Sequence, residues 1–519
     1  MSDTEKKQGG LLGTAAVMAV IILLSKIFGL LRDILVAGAY GTSAAAVAYE
    51  TASRLPILLF DLVLGGVVSA AFIPVFSDLL VREGKKSAMR YAASYVNVIS
   101  LFTGAITVLG MLFASPLVKL LAPELPNETH ELAAHLTQIL FPMVICTGLA
   151  YAFVGILQSM GEFRIPALIS LVSNTIMVVY LVFFGDRFGI TGLAVAMLAG
   201  WAAQAVVQIP SLVKFGFAPS LKAGLFTPDV RRSLKLALPI LVGTWTQPIC
   251  SLINTRCASG MDGGRAITAL GYGNRLYTIL VGVFSFVATN LLFPYFSRAS
   301  AEGNLKASRR MMITSVKTLS FIIAPIAGGL IVLAEPICAI LYERGEFTPA
   351  DTALTATALR FFAVGMLFLA ANEVLTKAFF AEKKPIFPML AAIGGMAANF
   401  IFIVLLVPYG IGGIALASGL AAAVQCLIGA ICMKKSAEAK FPVADLLDLA
   451  KSVLAAALMA AALYFIKPHL PGGTIVNTVL AVLIGAALYA ILALLLHSEE
   501  ARFVIEKLIH SHKKGDFTK

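Results

Sequence analysis

The stretch from Ser25 to Asp61 is apolar enough to cross a membrane twice, yet it carries Lys26, Arg32, Asp33, Glu50, Arg54 and Asp61. A charged side chain at the centre of a spanning helix costs roughly 2.5–3.5 kcal/mol on insertion scales, so charges kept at that depth face a bundle interior or a wet cavity. Helical spacing sorts them. Ser25 and Arg32 are seven apart, as are Lys26 and Asp33, so each pair lies on nearly one face with Gly29 between. Glu50, Arg54 and Asp61 form one stripe, and Glu50 with Arg54 has the i, i+4 spacing of a helical ion pair. Two readings stand side by side: ion pairs that lock the first two spans together, and a cationic interior that receives an anionic substrate. Asp33 alone cannot neutralise both Lys26 and Arg32, which favours the second reading for those two.

Composition places this stretch in a polytopic all-α membrane protein. The chain is 59% hydrophobic and 13% charged, against about 25% charged residues in soluble proteins. We read fourteen spans, at about 11–41, 45–77, 90–114, 131–158, 164–184, 190–213, 230–256, 266–297, 308–334, 351–381, 385–407, 411–433, 446–466 and 473–497, from runs near the roughly 20 residues that cross a bilayer. The first, second, eighth and tenth exceed that length and are expected to bend, tilt or protrude, with Gly29 and Pro56 as bend points. The N-terminal run lacks a small-residue cleavage site and is expected to stay as span 1. With the N-terminus inside, about 26 Lys and Arg fall in inside segments and about 6 in outside loops, so both termini are expected to be cytoplasmic in a bacterial inner membrane. The formal net charge of +12 is scattered through short loops, which argues against a nucleic-acid partner. The six cysteines lack paired or metal-binding spacing. There is no phosphate-binding loop, and His130 and His135 are five apart rather than the four a zinc-protease helix needs, so neither an ATPase nor a metal enzyme is expected.

An internal repeat is visible. RLPILLFDLVLGGVVSAAFIPVFS (54–77) parallels RLYTILVGVFSFVATNLLFPYFS (275–297), and FGITGLA (188–194) parallels YGIGGIA (409–415), both with a register near 221. Six spans per repeat is an even number, which implies two parallel repeats with the substrate path between them. The expected organisation is an N-lobe (1–213), a C-lobe (214–435), two further apolar spans (436–497) and a cytoplasmic tail (498–519). Arg275 is the repeat-equivalent of Arg54, and arginine suits phosphate because its planar fork donates in pairs. Arg256 is expected to snorkel to the outer interface. Arg360 lies in the outer half of span 10. Glu373, four residues before Lys377 in its inner half, is read as an interfacial salt bridge or a coupling carboxylate.

Four segments, LSKIFGLLRDILVAGAYGTS (24–43), RLPILLFDLVLGGVVSAAFIPVF (54–76), GYGNRLY (271–277) and LYERGEFTPAD (341–351), resemble the MurJ (MviN) family of lipid II flippases in the MATE-like exporter superfamily. The resemblance implies a V-shaped pair of six-helix lobes around a cationic cavity, with spans 13 and 14 forming a groove for the lipid tail. It implies essential basic residues at Lys26 and Arg32, beside Asp33, and at Arg275. Substrate-binding candidates are therefore Lys26, Arg32, Asp33, Arg54, Asn274 and Arg275, with Glu50, Asp61, Arg360 and Glu373 in support or coupling. Val47 stands where relatives usually carry an acidic residue, Phe60 and Asp61 where many carry arginine, and Asn274 where an acidic residue often precedes the span 8 arginine. The implied function is alternating-access transfer of a polyprenyl-pyrophosphate glycan, without cofactor, driven by a Na+ or H+ gradient or the membrane potential. Membrane lipids and cell-wall synthesis enzymes are the implied partners. Another undecaprenyl-linked glycan would suit the same cations. A MATE-type exporter of cationic drugs would need an acidic interior, and a non-transporting scaffold would leave the buried charges unexplained.

Overall fold

A computed structural model describes residues 3–64, 71–282, 305–382, 384–437 and 443–502. Every regular element among them is helical. The helices are α1 (Asp3–Tyr40), α2 (Ala44–Leu64), α3 (Ile73–Arg82), α4 (Lys85–Leu112), α5 (Ala114–Leu121), α6 (Asn127–Leu140), α7 (Met143–Ser159), α8 (Arg164–Phe183), α9 (Gly185–Val206), α10 (Ile209–Lys214), α11 (Pro228–Thr244), α12 (Thr246–Ala258), α13 (265–282), α14 (Leu305–Tyr342), α15 (Pro349–Val364), α16 (Met366–Ala381), α17 (Ile386–Leu406), α18 (Gly410–Ala437), α19 (Val443–Ile466) and α20 (Thr474–Leu495).

Eight helical stretches among the described residues are long and apolar enough to cross a membrane, or nine with α15 and α16 taken as one span. This is a multi-pass membrane protein. One of the eight, Ile386–Met433, is 48 residues long, about 70 Å as straight helix and more than twice a bilayer core of about 30 Å. It is broken at Gly410, and α17 packs back on α18, so it makes two passes. Expected spans 1, 2, 7 and 8 are not among these stretches of the described residues, and parts of spans 2 and 8 (65–70 and 283–297) lie outside them, so the total of fourteen stays an expectation. Span 10 is bent by 48° between α15 and α16. The bend is at Gly365, where an added Cβ would meet Gly419 Cα at 2.6 Å, so backbone-to-backbone contact with α18 fixes its position. Span 1 behaves differently from expectation at Gly29. Helix α1 runs on as one helix, and Gly29 is the place where Asn174 of α8 approaches it, 3.3 Å from an added Cβ.

The chain divides into two compact units. Unit 1 holds residues 1–268 and 344–348, and unit 2 holds 269–343 and 349–519. In unit 1, α4 packs on α7, α7 on α9 and α8 on α9. In unit 2 the helices 221 residues later repeat these pairings: α14 on α16, α16 on α18 and α17 on α18. The repeat reaches single dihedrals. Gly189 has φ 58° and ψ −152°, and Gly410 has φ 71° and ψ −154°. Only glycine adopts this region readily, so both repeats start the same helix with the same break. The further part of the second repeat match, 283–297, lies outside the described residues.

Outside the repeat, α19 and α20 pack on each other and on α14. Membrane helices associate through close packing of small residues, and here an added Cβ on Gly328 would meet the Ala456 carbonyl at 3.0 Å. The Tyr489 hydroxyl donates to the Phe321 carbonyl at 2.8 Å. Lys317 of α14 is buried and donates to Asp445 (3.1 Å) and Asp448 (3.0 Å) of α19 and to Glu499 (2.7 Å). The tail expected at 498–519 is therefore docked at its start, with Ser498 and Ala501 buried. Its residues 503–519 lie outside those described.

Candidate functional site: buried and half-buried arginines of each unit

In unit 1, α1 packs on α8 and carries Arg32 against it. Arg32 donates from Nε and Nη2 to Asp33 Oδ1 (3.1 and 2.8 Å) and from Nη1 to Asn174 Oδ1 (2.9 Å). Asn174 Nδ2 in turn donates to the Ser25 carbonyl at 3.2 Å, which fixes its amide. Neighbouring residues on a helix do not face each other, so the Arg32–Asp33 pair depends on the long arginine folding back to a buried carboxylate. Two of the five guanidinium N–H groups keep no partner among the described residues, and the side chain is 26% exposed. A hydrogen bond to a charged group contributes about 1.5–3 kcal/mol net, comparable to the roughly 2.5–3.5 kcal/mol cost of the buried charge. Asp33 and Asn174 therefore hold Arg32 in place and leave donor capacity. Lys26, one turn and a half away, is exposed and has no ion pair among the described residues.

Arg54 is different. It reaches Glu50 from Nε (3.2 Å) and Nη2 (3.0 Å), Thr255 from Nη1, and the Ile267 carbonyl from Nη2 (3.4 Å). Four contacts on a side chain 19% exposed leave little for a ligand. The structure gives Arg54 and Glu50 to the joint between α2, α12 and the start of α13. One of its five N–H groups is left over, so Arg54 has less to offer a ligand than Arg32. The Arg256 guanidinium donates to the Leu120 carbonyl from an exposed position, in keeping with snorkelling. Asp61 is half-buried on α2.

In unit 2, Arg275 is half-buried on α13 and its guanidinium lies 5.8 Å from the Tyr272 ring centroid, a cation–π distance. Asn274 beside it is exposed. Arg360 donates to the Ile331 carbonyl at 3.0 Å, so it braces α15 against α14. Glu373 is half-buried and Lys377 exposed on α16.

A family model described as "Lipid II flippase MurJ" matches residues 36–486. The chain belongs to the MurJ family. A Rhizobium meliloti (strain 1021) protein named "Probable lipid II flippase MurJ" is 29% identical over 85% of this chain and 84% of its own length. Among solved structures, a lipid II flippase MurJ in an inward closed conformation superposes with TM-score 0.80 at 24% identity, over 94% of this chain and all of that one. A MATE multidrug transporter of the MOP superfamily matches with TM-score 0.66 at 16% identity, over 82% of this chain and all of that one. This MurJ-family chain is thus a transporter with a MOP-type fold, and not an enzyme.

Two departures from the MurJ pattern now have a structural account. Val47 is fully buried, with its Cγ1 2.9 Å from where a Cβ on Gly264 would lie. Phe60 is 8% exposed and packs 5.2 Å from the Tyr151 ring in an aromatic core with Phe72, Phe76, Tyr91 and Tyr95. Both positions serve packing within unit 1. The sequence reading missed Asn174 and Lys317. A lone lysine inside an apolar run was a usable signal for the second. Asn174 carries the weaker form of the same signal, an amide in the middle of an apolar span.

Proposed function

We propose that this chain moves lipid II from the cytoplasmic to the outer leaflet of a bacterial inner membrane, with both termini cytoplasmic. The observation that carries the reading is Arg32, a membrane-embedded cation held by Asp33 and Asn174 with N–H groups left over. A diphosphate cannot cross hydrocarbon unpaired, and fixed cations in a wet interior lower that barrier. In this reading Lys26, Arg32 and Arg275 bind the pyrophosphate, and Asn274 contributes polar contact to the sugar. Asp33 and Asn174 orient Arg32, and Arg54 with Glu50 keeps α2 in place. The undecaprenyl chain stays in lipid beside α19 and α20. The two repeats move against each other to open the site to one side at a time, as in other transporters with binding sites between repeats. An ion gradient or the membrane potential supplies the energy, with Glu373 and Asp61 as coupling carboxylates. Cell-wall synthesis enzymes that use the delivered precursor are proposed partners.

The test is purified protein in liposomes loaded with lipid II, with outer-leaflet lipid II read by a membrane-impermeant probe. Protein-dependent appearance of lipid II supports the reading. Its absence, with transport of another undecaprenyl-linked glycan instead, would move the assignment to that substrate. In the same assay Asn174→Ala is expected to slow the initial rate about tenfold, since one charge-assisted hydrogen bond orienting Arg32 is lost. Asn174→Asp should keep the acceptor and retain most of the rate.

A further inference from the structure

Among the described residues two Lys or Arg side chains are fully buried, Lys317 and Arg309, each 5% exposed. Lys317 is met by carboxylates of α19 and of the tail. Arg309, earlier on the same helix α14, is not: its Nε and Nη2 atoms are buried and make no hydrogen bond. The Ser308 hydroxyl beside it is buried and makes none either. A buried serine on a helix commonly donates to the carbonyl one turn back, as Ser315 does to Met311 at 2.6 Å. A buried guanidinium is costly unless an opposite charge and hydrogen bonds offset its desolvation. Two adjacent orphaned donors therefore mark a place for an acceptor.

Their position narrows what that acceptor is. Helix α14 begins at Leu305, so Ser308 and Arg309 stand at the end of its first turn, whose amides have no intrahelical acceptor. Side chains on a helix lean toward its N-terminus, which directs the guanidinium over that turn and the positive end of the helix dipole. Nε and Nη2 form one edge of the guanidinium, the fork that takes two oxygens of a single phosphate or carboxylate. The stretch of α14 that can cross a membrane runs from Ser308 to Tyr342, so these donors sit at the membrane boundary, the depth of lipid phosphates. Arg310 beside them is exposed and adds positive charge. Glu382, a buried carboxylate at the end of α16, which packs on α14, is paired with Lys384 at 3.1 Å instead.

We propose that Ser308, Arg309 and the first-turn amides of α14 form a binding site for a phosphate group, supplied by the phosphodiester of an anionic phospholipid. A phosphodiester carries one negative charge and two free oxygens, which matches one edge of one guanidinium. A zwitterionic lipid would bring its own ammonium group beside Arg310, so the site selects lipids such as phosphatidylglycerol. The bound lipid neutralises Arg309 and ties the start of α14 to the leaflet surface. The inference does not depend on what the chain transports.

The test uses the full chain, purified in a neutral detergent and stripped of lipid. Its melting point is followed as dioleoylphosphatidylglycerol, dioleoylphosphatidylcholine or inorganic phosphate is added. Phosphatidylglycerol is expected to raise the melting point and phosphatidylcholine to leave it unchanged. Arg309→Met should need about tenfold more phosphatidylglycerol for the same shift, the loss of a charge-assisted pair. Ser308→Ala removes one neutral donor and should need about threefold more. Arg310→Gln should respond like the parent. Without lipid, Arg309→Met should melt at or above the parent, because an unpaired buried charge has been removed. A lower melting point there would show that protein groups hold Arg309, and would overturn the site. So would an unchanged phosphatidylglycerol requirement in both Arg309→Met and Ser308→Ala. Stabilisation by inorganic phosphate and not by phosphatidylglycerol would overturn the lipid as the source of the phosphate.

Discussion

Arg32→Ala is expected to abolish growth rescue of a flippase-depleted strain while the protein still inserts at normal levels. The geometry sets the size of the effect. Asp33 and Asn174 use three of the guanidinium N–H groups and leave two for a ligand. Two charge-assisted bonds at about 1.5–3 kcal/mol each correspond to at least roughly 100-fold in phosphate affinity. Arg32→Lys keeps the charge but cannot reach Asp33 and Asn174 together and still face a ligand, so partial rescue is expected. Arg275→Ala should fail to rescue as well, because in the proposed reading Arg275 is the second arginine that binds the pyrophosphate. Arg54→Ala should act differently. Its donors go to Glu50, Thr255 and Ile267, so its loss should lower thermal stability more than substrate affinity. Normal growth with Arg32 and Arg275 both replaced by Ala would rule out the cation mechanism.

The second large effect is expected at Lys317. Its ammonium group is within 3.1 Å of Asp445, Asp448 and Glu499, and 3.5 Å from Glu500. Lys451 also reaches Asp448 at 3.0 Å. Removing one partner of a buried ion pair costs about 3–5 kcal/mol, since the charge left behind is uncompensated. Lys317→Ala leaves Asp448 with Lys451 alone among the cations and with Asp445, Glu499 and Glu500 nearby, so we expect a loss of about 3 kcal/mol, the lower end of that range, read as a lower melting point in detergent. Replacing the pair together, Lys317→Met with Asp448→Asn, should recover much of it, because the desolvation cost disappears with the charges. If Lys317→Ala melts like the parent, the network does not hold α14 to α19. Docking of Glu499 also predicts that truncation before Ser498 destabilises the protein, whereas a solvated tail could be removed without effect.

Much of the fold was legible in the chain because its signals are local. Runs near 20 apolar residues mark spans. The bend in span 10 follows from a run too long for one straight crossing. The repeat could be read from Arg54 against Arg275 and from FGITGLA against YGIGGIA, and the matched dihedrals of Gly189 and Gly410 give it a physical cause. The Glu50–Arg54 pair was also legible, since four residues on one helix are neighbours in any fold.

The sequence alone determined that the protein lives in a membrane and that its halves repeat, and it singled out Lys26, Arg32 and Arg275 as cations in apolar surroundings. Only the tertiary structure decided what each charge does. Arg32 is oriented by Asn174, 142 residues away, Lys317 is bound by Asp448, 131 residues away, and Arg54 is absorbed by Thr255, 201 residues away. Spacing along one helix shows which face a residue occupies, but not which other helix packs against that face or with what rotation. In a membrane, where an unpaired buried charge is costly, that packing separates the arginine with two donors to offer from the arginine with one.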